Sequence, residues 1–463
     1  MRLIGCAFLS AMLTSAAVLP VAAQSTVPSG QTTTISLKPE ELRALAVQAL
    51  LNGQPKLAFE LAGALIQRNP EDVDALLLRS RAARDIGNNQ AAKTAARDAW
   101  KYANTDRDRY AAALANAQAL SSDGARTRAQ WWLRRALQIA PTPELKAKAE
   151  RDFRYVREQN PWSTQLSFSV SPSSNVNGGS SSDTVSIYDL PFDFVLQGSA
   201  RALSGVEYSY GLSTRYTLRK TKQKRTSLSF AASHKTYSLS EEAKDIAPDT
   251  KGSDFALTQL SAGLSQDWFA ANGRLALNGQ IGVNKAWYGG EPLSQSATAS
   301  TGLRYAITPK LAASLTVNHE WQEGLGERQN ADLLRSSASL SYVIPGGHGL
   351  QVGVGQASSQ SDATYLDFEE RSAFVAFAWG KPVFGTKVQL AVDAKHRHFD
   401  ATSVSFGDRD DYTYGAEVNF TVNALDYYGF VPTVKIRTEE TDSNLAIYDR
   451  DNLGLQLGLK SRF

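Results

Sequence analysis

The side chains that most often perform chemistry are few and scattered in this sequence. Its five histidines are His234, His319, His348, His396 and His398. Only His396 and His398 lie close together, and their spacing of two places both imidazoles on one face of a strand, with Asp393 on the other face. A metal centre needs several ligands that converge on one point, and this pattern supplies only a pair. We therefore predict no metal site.

No other pattern indicates catalysis or a cofactor. No serine, histidine and acidic residue occur at the spacing of a known hydrolase motif. The glycine-rich stretch 346–349 precedes no helix, so it predicts a turn and not a phosphate-binding loop. Cys6 is the only cysteine, which leaves no cysteine-based metal site. We predict that the protein is not an enzyme, binds no cofactor and has no nucleic-acid partner.

The N-terminus has the pattern of a secretory signal peptide. Arg2 precedes an apolar run that closes with Val21-Ala22-Ala23, so we predict residues 1–23 as the signal peptide and residues 24–37 as a linker. The stretch ending at Cys6 resembles a lipoprotein cleavage box, but no apolar run precedes it. The exported chain would then contain no cysteine. Because no later stretch of about 18 apolar residues predicts a membrane-spanning helix, a membrane-embedded form would have to be a barrel.

Residues 38–159 are rich in Ala, Leu, Arg and Glu at helical spacing. The helical pattern breaks at Gly53, Gly87 and Gly124, and an alanine follows each break at Ala58, Ala92 and Ala129. Small residues lie twelve positions before these alanines, at Ala46, Ser80 and Ala117, and each unit closes at Pro70, Asn104 or Pro141. Periods of 34 and then 37 residues are typical of tetratricopeptide repeats, so we predict a helical solenoid of three repeats and a capping helix.

Such solenoids usually bind an extended peptide or a partner along their concave face. In the register of these repeats, the polar side chains on that face are Arg43, Asp74, Arg81, Arg84 and Gln118, which we predict as client-binding residues. The alternative is that they are ordinary solvated side chains. Residues 36–160 hold 21 Lys and Arg against 15 Asp and Glu, whereas residues 161–463 hold 27 against 31. A mildly basic helical domain therefore precedes a mildly acidic second domain.

From Pro161 onward, the sequence alternates between apolar and polar residues in segments of about ten residues. Tight turns at 271–273, 308–310 and 345–347 alternate with longer polar loops near 239–253, 287–296, 323–331, 361–369 and 399–410. Short turns at one rim and long loops at the other are typical of outer-membrane barrels. A soluble stack of sheets is the alternative. The signal peptide, the polar faces and the aromatic residues near strand ends favour the barrel.

The number of strands follows from where the ends of the barrel lie. Both the helical domain and Phe463 should be periplasmic, so the number of strands is even. Fifteen segments have a strand-like pattern, and either 163–171 or 190–200 must therefore lie outside the wall. We predict a fourteen-stranded antiparallel transmembrane β-barrel over residues 160–463. The basic run Arg219–Arg225 then falls on the periplasmic rim, either as a binding surface or as a solvated turn.

Several motifs inside this region resemble one known family. They are Asn160-Pro161-Trp162 and Pro172–Asn177, which includes Asn175 and Asn177, then Trp287–Pro292 with Trp287 and Glu291, and later Gly429–Pro432, Asn444 and Tyr448–Arg450. Together with the helical repeats, they make the chain resemble the surface lipoprotein assembly modulator (Slam) family over nearly the whole mature length. Asn175 and Asn177 either line the lumen or shape a turn.

The resemblance implies a fourteen-stranded outer-membrane translocator with a periplasmic repeat domain. Family members help lipoproteins, and in some cases soluble proteins, to reach the cell surface. The implied partners are such a client, the barrel-assembly machinery, and outer-membrane lipid and lipopolysaccharide. The resemblance also implies that the terminal aromatic residue, Phe463, is the signal that the assembly machinery reads. Two alternatives remain: a polysaccharide-export porin, which would have sixteen strands, and a solute porin with a helical scaffold domain.

Overall fold

The computed structural model describes residues 37–182, 184–185, 194–270, 272–402 and 407–461. The predicted signal peptide, nearly all of the predicted linker and Phe463 lie outside these residues. Within the described residues, no helix is both long enough and apolar enough to cross a membrane.

The first part of the described chain is helical. Its helices are α1 (Pro39–Leu51), α2 (Pro55–Arg68), α3 (Val73–Asp85), α4 (Asn89–Tyr102), α5 (Asp106–Ser122), α6 (Arg126–Ile139) and α7 (Pro143–Gln159). Gly53, Gly87 and Gly124 connect α1 to α2, α3 to α4 and α5 to α6 with φ angles of 69°, 81° and 77°. A positive φ favours glycine, so the aligned glycines mark the turn within each helix pair.

The aligned small residues lie where the two helices of a pair cross. Ala46, Ala58, Ala92 and Ala129 are fully buried, and Ser80 and Ala117 are nearly so. Ser80 Oγ donates a hydrogen bond of 3.0 Å to the carbonyl oxygen of Ala92 and so joins α3 to α4. A larger side chain at any of these positions would push the helices apart.

Helix α7 completes the helical core. Its Phe153, which is 1% exposed, packs with Leu133 of α6 in one buried cluster. Tyr110 of α5 donates a hydrogen bond of 2.8 Å to the carbonyl oxygen of Leu145. The Thr142 side chain accepts a hydrogen bond from the Leu145 amide and caps the start of α7. Helix α7 therefore buries the apolar side of the last helix pair.

The second part of the chain is a closed antiparallel barrel. The strands, in chain order, are β1 (Trp162–Ser173), β2 (Thr184–Val185), β3 (Phe194–Val195), β4 (Gly205–Lys220), β5 (Lys224–Leu239), β6 (Leu257–Phe269), β7 (Leu275–Tyr288), β8 (Glu291–Ala306), β9 (Leu311–Gly324), β10 (Ala331–Ile344), β11 (His348–Gln360), β12 (Phe368–Ala378), β13 (Thr386–Phe399), β14 (Arg409–Val422), β15 (Phe430–Ser443) and β16 (Arg450–Ser461). Fourteen of them form the wall, and β2 and β3 form a separate two-stranded sheet.

The fourteen-stranded antiparallel barrel that we predicted is confirmed. Of the two segments that competed for a place in the wall, 163–171 belongs to β1, which pairs with β4 and β16. The described part of 190–200 includes β3, which pairs only with β2 in the loop between β1 and β4. Residues 190–193 lie outside the described part of the chain.

Short turns lie at one rim of the barrel and mostly long loops lie at the other. The predicted long loop at 287–296 is wrong, because β7 ends at Tyr288 and β8 begins at Glu291. Gly289 and Gly290, with φ of 59° and 92°, make this two-residue connection. Consecutive glycines readily adopt the positive φ angles that a two-residue hairpin requires. The polar residues on each side extend the two strands instead of forming a loop.

The apolar and polar residues that alternate in sequence lie on the outer and inner surfaces of the wall. On β16, the exposed side chains of Leu453, Leu457 and Leu459 lie on the outer surface. On the inner surface, Gln456 Nε2 donates a hydrogen bond of 2.7 Å to Ser169 Oγ of β1. An apolar outer surface and a polar inner surface are what a barrel in a lipid bilayer requires.

Candidate functional site

The five predicted client-binding residues form two groups on three helices. Arg43 lies on α1, Asp74, Arg81 and Arg84 lie on α3, and Gln118 lies on α5. Arg43 pairs with Asp72, with 2.6 Å between Arg43 Nη2 and Asp72 Oδ2. Asp72 also caps α3 by accepting a hydrogen bond from the Ala75 amide. Asp74 is exposed in the first turn of α3. The first group therefore lies where α1 meets the start of α3.

The second group joins α3 to α5. Arg84 Nη1 donates a hydrogen bond to Gln118 Oε1. Arg81 and Arg84 each lie 4.0 Å from a carboxylate oxygen of Asp85. Burial lowers the pKa of Arg84, and Arg81 lowers it further, while Asp85 raises it. Arginine keeps its charge despite such a shift, so this group offers a half-buried cation and an exposed one to a ligand.

The helical domain contacts the short-turn rim of the barrel through α6. Arg134 donates 2.8 Å hydrogen bonds from Nη1 to the carbonyl oxygen of Tyr428 and from Nη2 to Ser461 Oγ. The guanidinium also lies 4.6 Å from the ring centroid of Phe430, the first residue of β15. Burial lowers the pKa of Arg134. Gln138 Oε1 accepts a hydrogen bond of 2.9 Å from the Tyr428 amide.

A second set of contacts joins the end of α7 to α6 and to the same rim. Asn160 Nδ2 donates a hydrogen bond of 3.0 Å to Thr127 Oγ1 in α6, at the point where α7 leads into β1. Lys220 Nζ donates a hydrogen bond of 3.4 Å to the carbonyl oxygen of Glu158. The basic run Arg219–Arg225 therefore lies beside the helical domain. Sequence reasoning missed Arg134, since nothing in a helical pattern distinguishes it from its neighbours.

The inner surface of the wall carries paired charges across β13 to β15. Arg437 donates hydrogen bonds of 3.0 Å to Asp393 Oδ1 and 2.7 Å to Glu439 Oε2. Lys435 Nζ lies 3.1 Å from Glu417 Oε2. On β1, which is separated from β15 only by β16, the inner surface carries uncharged polar side chains at Ser163, Gln165, Ser167, Ser169 and Ser171.

The predicted barrel motif residues lie at the long-loop rim, where two of them organise the loop 174–204. Asn177 Oδ1 accepts a hydrogen bond of 2.9 Å from the Leu203 amide, and its Nδ2 donates 2.8 Å bonds to the carbonyl oxygens of Ser199 and Arg201. Asn175 Nδ2 donates a hydrogen bond of 2.8 Å to the carbonyl oxygen of Gly179. Both asparagines therefore hold the backbone of this loop.

The other two motif residues flank the Gly289-Gly290 turn. Trp287 lies at a bulge near the end of β7, with the Lys285 ammonium 5.4 Å from its ring centroid. Glu291 is exposed and lies opposite Tyr288 in the ladder between β7 and β8. The motif thus builds a tight hairpin whose side chains face the long-loop side of the barrel.

The structure brings His396 and His398 to an acidic residue that the sequence did not indicate. The distances to Asp410 Oδ1 are 2.7 Å from His396 Nε2 and 3.1 Å from His398 Nδ1. His398, Asp408 and Asp410 also offer one ligand atom each within 4.8 Å of one another, so these residues could hold a metal ion. Sequence reasoning considered Asp393, which faces the lumen. One feature of the sequence could have indicated this cluster. Asp408 and Asp410 lie two residues apart near the start of β14, just as His396 and His398 do near the end of β13.

The barrel closes where the first and last wall strands meet. Each of β1 and β16 pairs at twelve positions with its other neighbour, β4 or β15. Between β1 and β16, the ladder joins Ser169 to Gly458, Val170 to Leu457 and Ser173 to Gly454. These pairs lie toward the long-loop rim, and residues 462 and 463, which follow β16 at the other rim, lie outside the described part of the chain.

A closed fourteen-stranded wall with an apolar outer surface and a polar lumen defines an outer-membrane β-barrel protein. The helical domain is docked at its short-turn rim, which is the periplasmic rim in such barrels. The chain belongs to the surface lipoprotein assembly modifier family, whose sequence profile matches residues 162–463. The family resemblance stated from the sequence motifs is therefore confirmed.

Other comparisons give weaker similarities. Among curated proteins, none matches the chain. The type III secretion translocator chaperone SycD of Yersinia enterocolitica is 18% identical, with 26% of this chain and 83% of SycD covered and a TM-score of 0.24. A bacterial polysaccharide outer membrane secretin is 9% identical, with 64% and 98% covered and a TM-score of 0.34. A BenF-like porin from Pseudomonas fluorescens Pf-5 is 10% identical, with 65% and 98% covered and a TM-score of 0.34.

Proposed function

We propose that this protein is an outer-membrane translocator that helps a client, either a surface lipoprotein or a secreted soluble protein, to cross the outer membrane to the cell surface. The family match over residues 162–463 carries this proposal. The docked helical domain supports it, because a domain held at the periplasmic mouth can present a client directly to the barrel. The activity is transport, so no side chain needs to make or break a covalent bond.

We expect the helical domain and the barrel to have separate roles in translocation. The basic helical domain collects the client in the periplasm, with Arg43, Asp74, Arg81, Arg84 and Gln118 as its predicted contacts. Arg134 and Asn160 hold this domain at the mouth. The polar inner surface of the barrel keeps a passing chain solvated. Because the periplasm lacks ATP, we infer that folding of the client outside the cell supplies the free energy.

A porin is the competing function. The fourteen-stranded wall argues against a polysaccharide-export porin, for which we expected sixteen strands. A solute porin would conduct ions continuously in a planar bilayer. A translocator whose lumen is closed between clients would conduct only in brief events. Recordings of the purified full-length protein therefore separate these two functions.

Deletion of the gene tests the proposal in cells. Protease shaving of intact cells, followed by quantitative mass spectrometry, should show the loss of one or a few surface proteins. The same proteins should persist in the periplasmic or membrane fraction, and a plasmid copy of the gene should restore them to the surface. A surface proteome that is identical with and without the gene would refute the proposal. We also expect the barrel-assembly machinery and lipopolysaccharide to contact the barrel, as for other proteins of this membrane.

A further inference from the structure

Three side chains at the long-loop rim converge as metal ligands do. His398, Asp408 and Asp410 each offer one ligand atom, and these atoms all lie within 4.8 Å of one another. His398 shares the outer face of β13 with the exposed Val392, so the group lies on the outer side of the wall. The long-loop rim is the extracellular rim in such barrels. We call His398, Asp408 and Asp410 the histidine–aspartate cluster.

The distances within the cluster suit a small metal ion. His398 Nδ1 lies 3.1 Å from Asp410 Oδ1. Zinc binds imidazole nitrogen and carboxylate oxygen at about 2.0–2.2 Å, so two ligand atoms of a tetrahedral zinc ion lie about 3.4 Å apart. These two atoms are therefore almost at the required separation. Asp408 is exposed, so rotation of its side chain brings its carboxylate to the same ion.

Two neighbouring side chains are placed as outer partners of the ligands. His396 Nε2 donates a hydrogen bond of 2.7 Å to Asp410 Oδ1, because a carboxylate can only accept. When His398 Nδ1 binds an ion, the ring proton lies on Nε2, which is 3.7 Å from Asp400 Oδ1. Ligating histidines usually face a carboxylate with their other nitrogen, and ligating carboxylates usually accept further hydrogen bonds. The cluster has both kinds of outer partner.

Asn444 fixes the backbone that carries the two aspartates. Its Nδ2 donates a hydrogen bond of 3.2 Å to the carbonyl oxygen of Asp408, and its Oδ1 accepts one of 2.9 Å from the Asp410 amide. The Asn444 amide also donates a hydrogen bond of 3.1 Å to the carbonyl oxygen of Asp410. These three bonds hold the two carboxylates on one side before any ion binds, which lowers the entropic cost of binding.

The cationic side chain between the two aspartates is directed away from them. Arg409 alternates to the inner side of the wall, where its guanidinium lies 3.7 Å from the ring centroid of Phe399 and 4.0 Å from that of Tyr448. Its Nη2 lies 3.1 Å from Asp411 Oδ2. Arg409 is therefore engaged on the inner side, and the carboxylates of the cluster face outward toward a cation.

We propose that the histidine–aspartate cluster binds Zn²⁺ at the extracellular rim of the barrel. One imidazole nitrogen and two carboxylate oxygens are ligands that Zn²⁺ accepts together, and water completes its coordination. Ca²⁺ requires about six to eight oxygen ligands, and Mg²⁺ binds poorly to imidazole, so the cluster suits neither. The ion joins the end of β13 to the residues just before β14. This inference does not depend on the proposed function, because the site lies outside the lumen and away from the helical domain.

Calorimetric titration of the metal-free protein tests the proposal. Full-length protein without a histidine tag is folded in detergent, treated with a chelator and titrated separately with Zn²⁺, Ca²⁺ and Mg²⁺ salts. We expect one Zn²⁺ per chain, bound more tightly than Ca²⁺ or Mg²⁺. Loss of an outer partner lowers metal affinity by about 10–100-fold, which we expect for His396→Ala. Asp410→Asn, which removes a ligand charge and keeps the size of the side chain, should lower it at least as much.

His319→Ala is the matched control. His319 is also a histidine on the outer surface, but it lies on β9, with its ring 4.2 Å from that of Trp321. Its substitution should leave the affinity for Zn²⁺ unchanged. The heat-dependent mobility of the folded barrel in gels shows that each variant has assembled. If Asp410→Asn does not assemble, His398→Gln removes a different ligand and takes its place.

Cobalt gives a second measurement, which reports on the ligands themselves. Co²⁺ held by protein nitrogen and oxygen ligands in a tetrahedral or five-coordinate site absorbs visible light much more strongly than hydrated Co²⁺. Absorption should rise up to one equivalent of Co²⁺ in the wild type and in His319→Ala, and should stay at the level of buffer in Asp410→Asn.

Two results would overturn the proposal. The cluster is not a metal site if the wild type binds no Zn²⁺, or if Asp410→Asn and His396→Ala bind it as tightly as the wild type. The assignment to zinc is wrong if Ca²⁺ or Mg²⁺ binds more tightly than Zn²⁺ and loses affinity in the same variants.

Discussion

Arg134→Ala should detach the helical domain from the periplasmic mouth of the barrel. Arg134 makes a half-buried hydrogen bond to the Tyr428 carbonyl, an exposed one to Ser461 Oγ, and a stacking contact with Phe430. A half-buried charged hydrogen bond contributes about 1.5 kcal/mol. The exposed bond contributes about 0.5 kcal/mol after solvent screening, and the stacking contact about 0.5 kcal/mol. The total of about 2.5 kcal/mol corresponds to about a 60-fold weaker docking equilibrium.

Hydrogen–deuterium exchange measures this change directly. The Tyr428 amide donates to Gln138 Oε1 of α6, so its protection depends on docking. In the purified full-length protein, exchange of the Tyr428 amide should accelerate about 60-fold for Arg134→Ala, following the docking equilibrium. Arg135→Ala is the matched control, because Arg135 lies over Trp132 within the helical domain, 4.6 Å from its ring centroid. Equal exchange in the two variants, with both folded, would refute this account of the interface.

Three further substitutions test other parts of the structure. Asn177→Ala removes the hydrogen bond to the Leu203 amide, so proteolysis within 174–204 should rise about tenfold while the barrel stays folded; an unchanged rate would contradict the role given to Asn177. Ala92→Leu overpacks a fully buried helix crossing, so the helical domain should lose about 1–3 kcal/mol of stability in a denaturant titration followed at 222 nm. An unshifted midpoint would show that the crossing has room. Phe463→Ser should lower the fraction of protein assembled in the outer membrane more than it lowers strand content in detergent, and unaffected assembly would exclude Phe463 as the signal.

Much of the architecture could be predicted because it depends on local periodicity. The two faces of each wall strand follow from an alternation that continues through the whole segment, as in Leu453–Leu459. The repeated small residues indicated the helix crossings, because only a small side chain fits where two helices meet closely. Parity then fixed the number of wall strands, although it could not decide between 163–171 and 190–200. That choice depends on which segment finds a partner, and pairing is not encoded in a single strand.

The features that the sequence did not reveal all depend on distant contacts. Asp410 reaches His396 and His398 only because β14 follows β13 in register. In the sequence, Arg134 cannot be distinguished from the other arginines of α6. Only its position beside the rim of the barrel gives it a role. The register between β1 and β16 is not encoded in β1 alone, because it depends on the relative position of two chain segments that are far apart in sequence. The wrong prediction of a long loop at 287–296 had a local cause. Gly289-Gly290 predicts a tight hairpin, but the polar residues on both sides have the pattern of a loop.

Reconstitution tests the central claim, translocation of a protein client, most directly. A gene-dependent surface protein, found by the deletion experiment, is enclosed in liposomes that contain the purified full-length protein, and protease is added outside. We predict that the enclosed client becomes accessible to protease over time, whereas it stays protected in liposomes without the protein and when a non-client periplasmic protein is enclosed. A client that remains protected in liposomes with correctly folded barrel would contradict the claim.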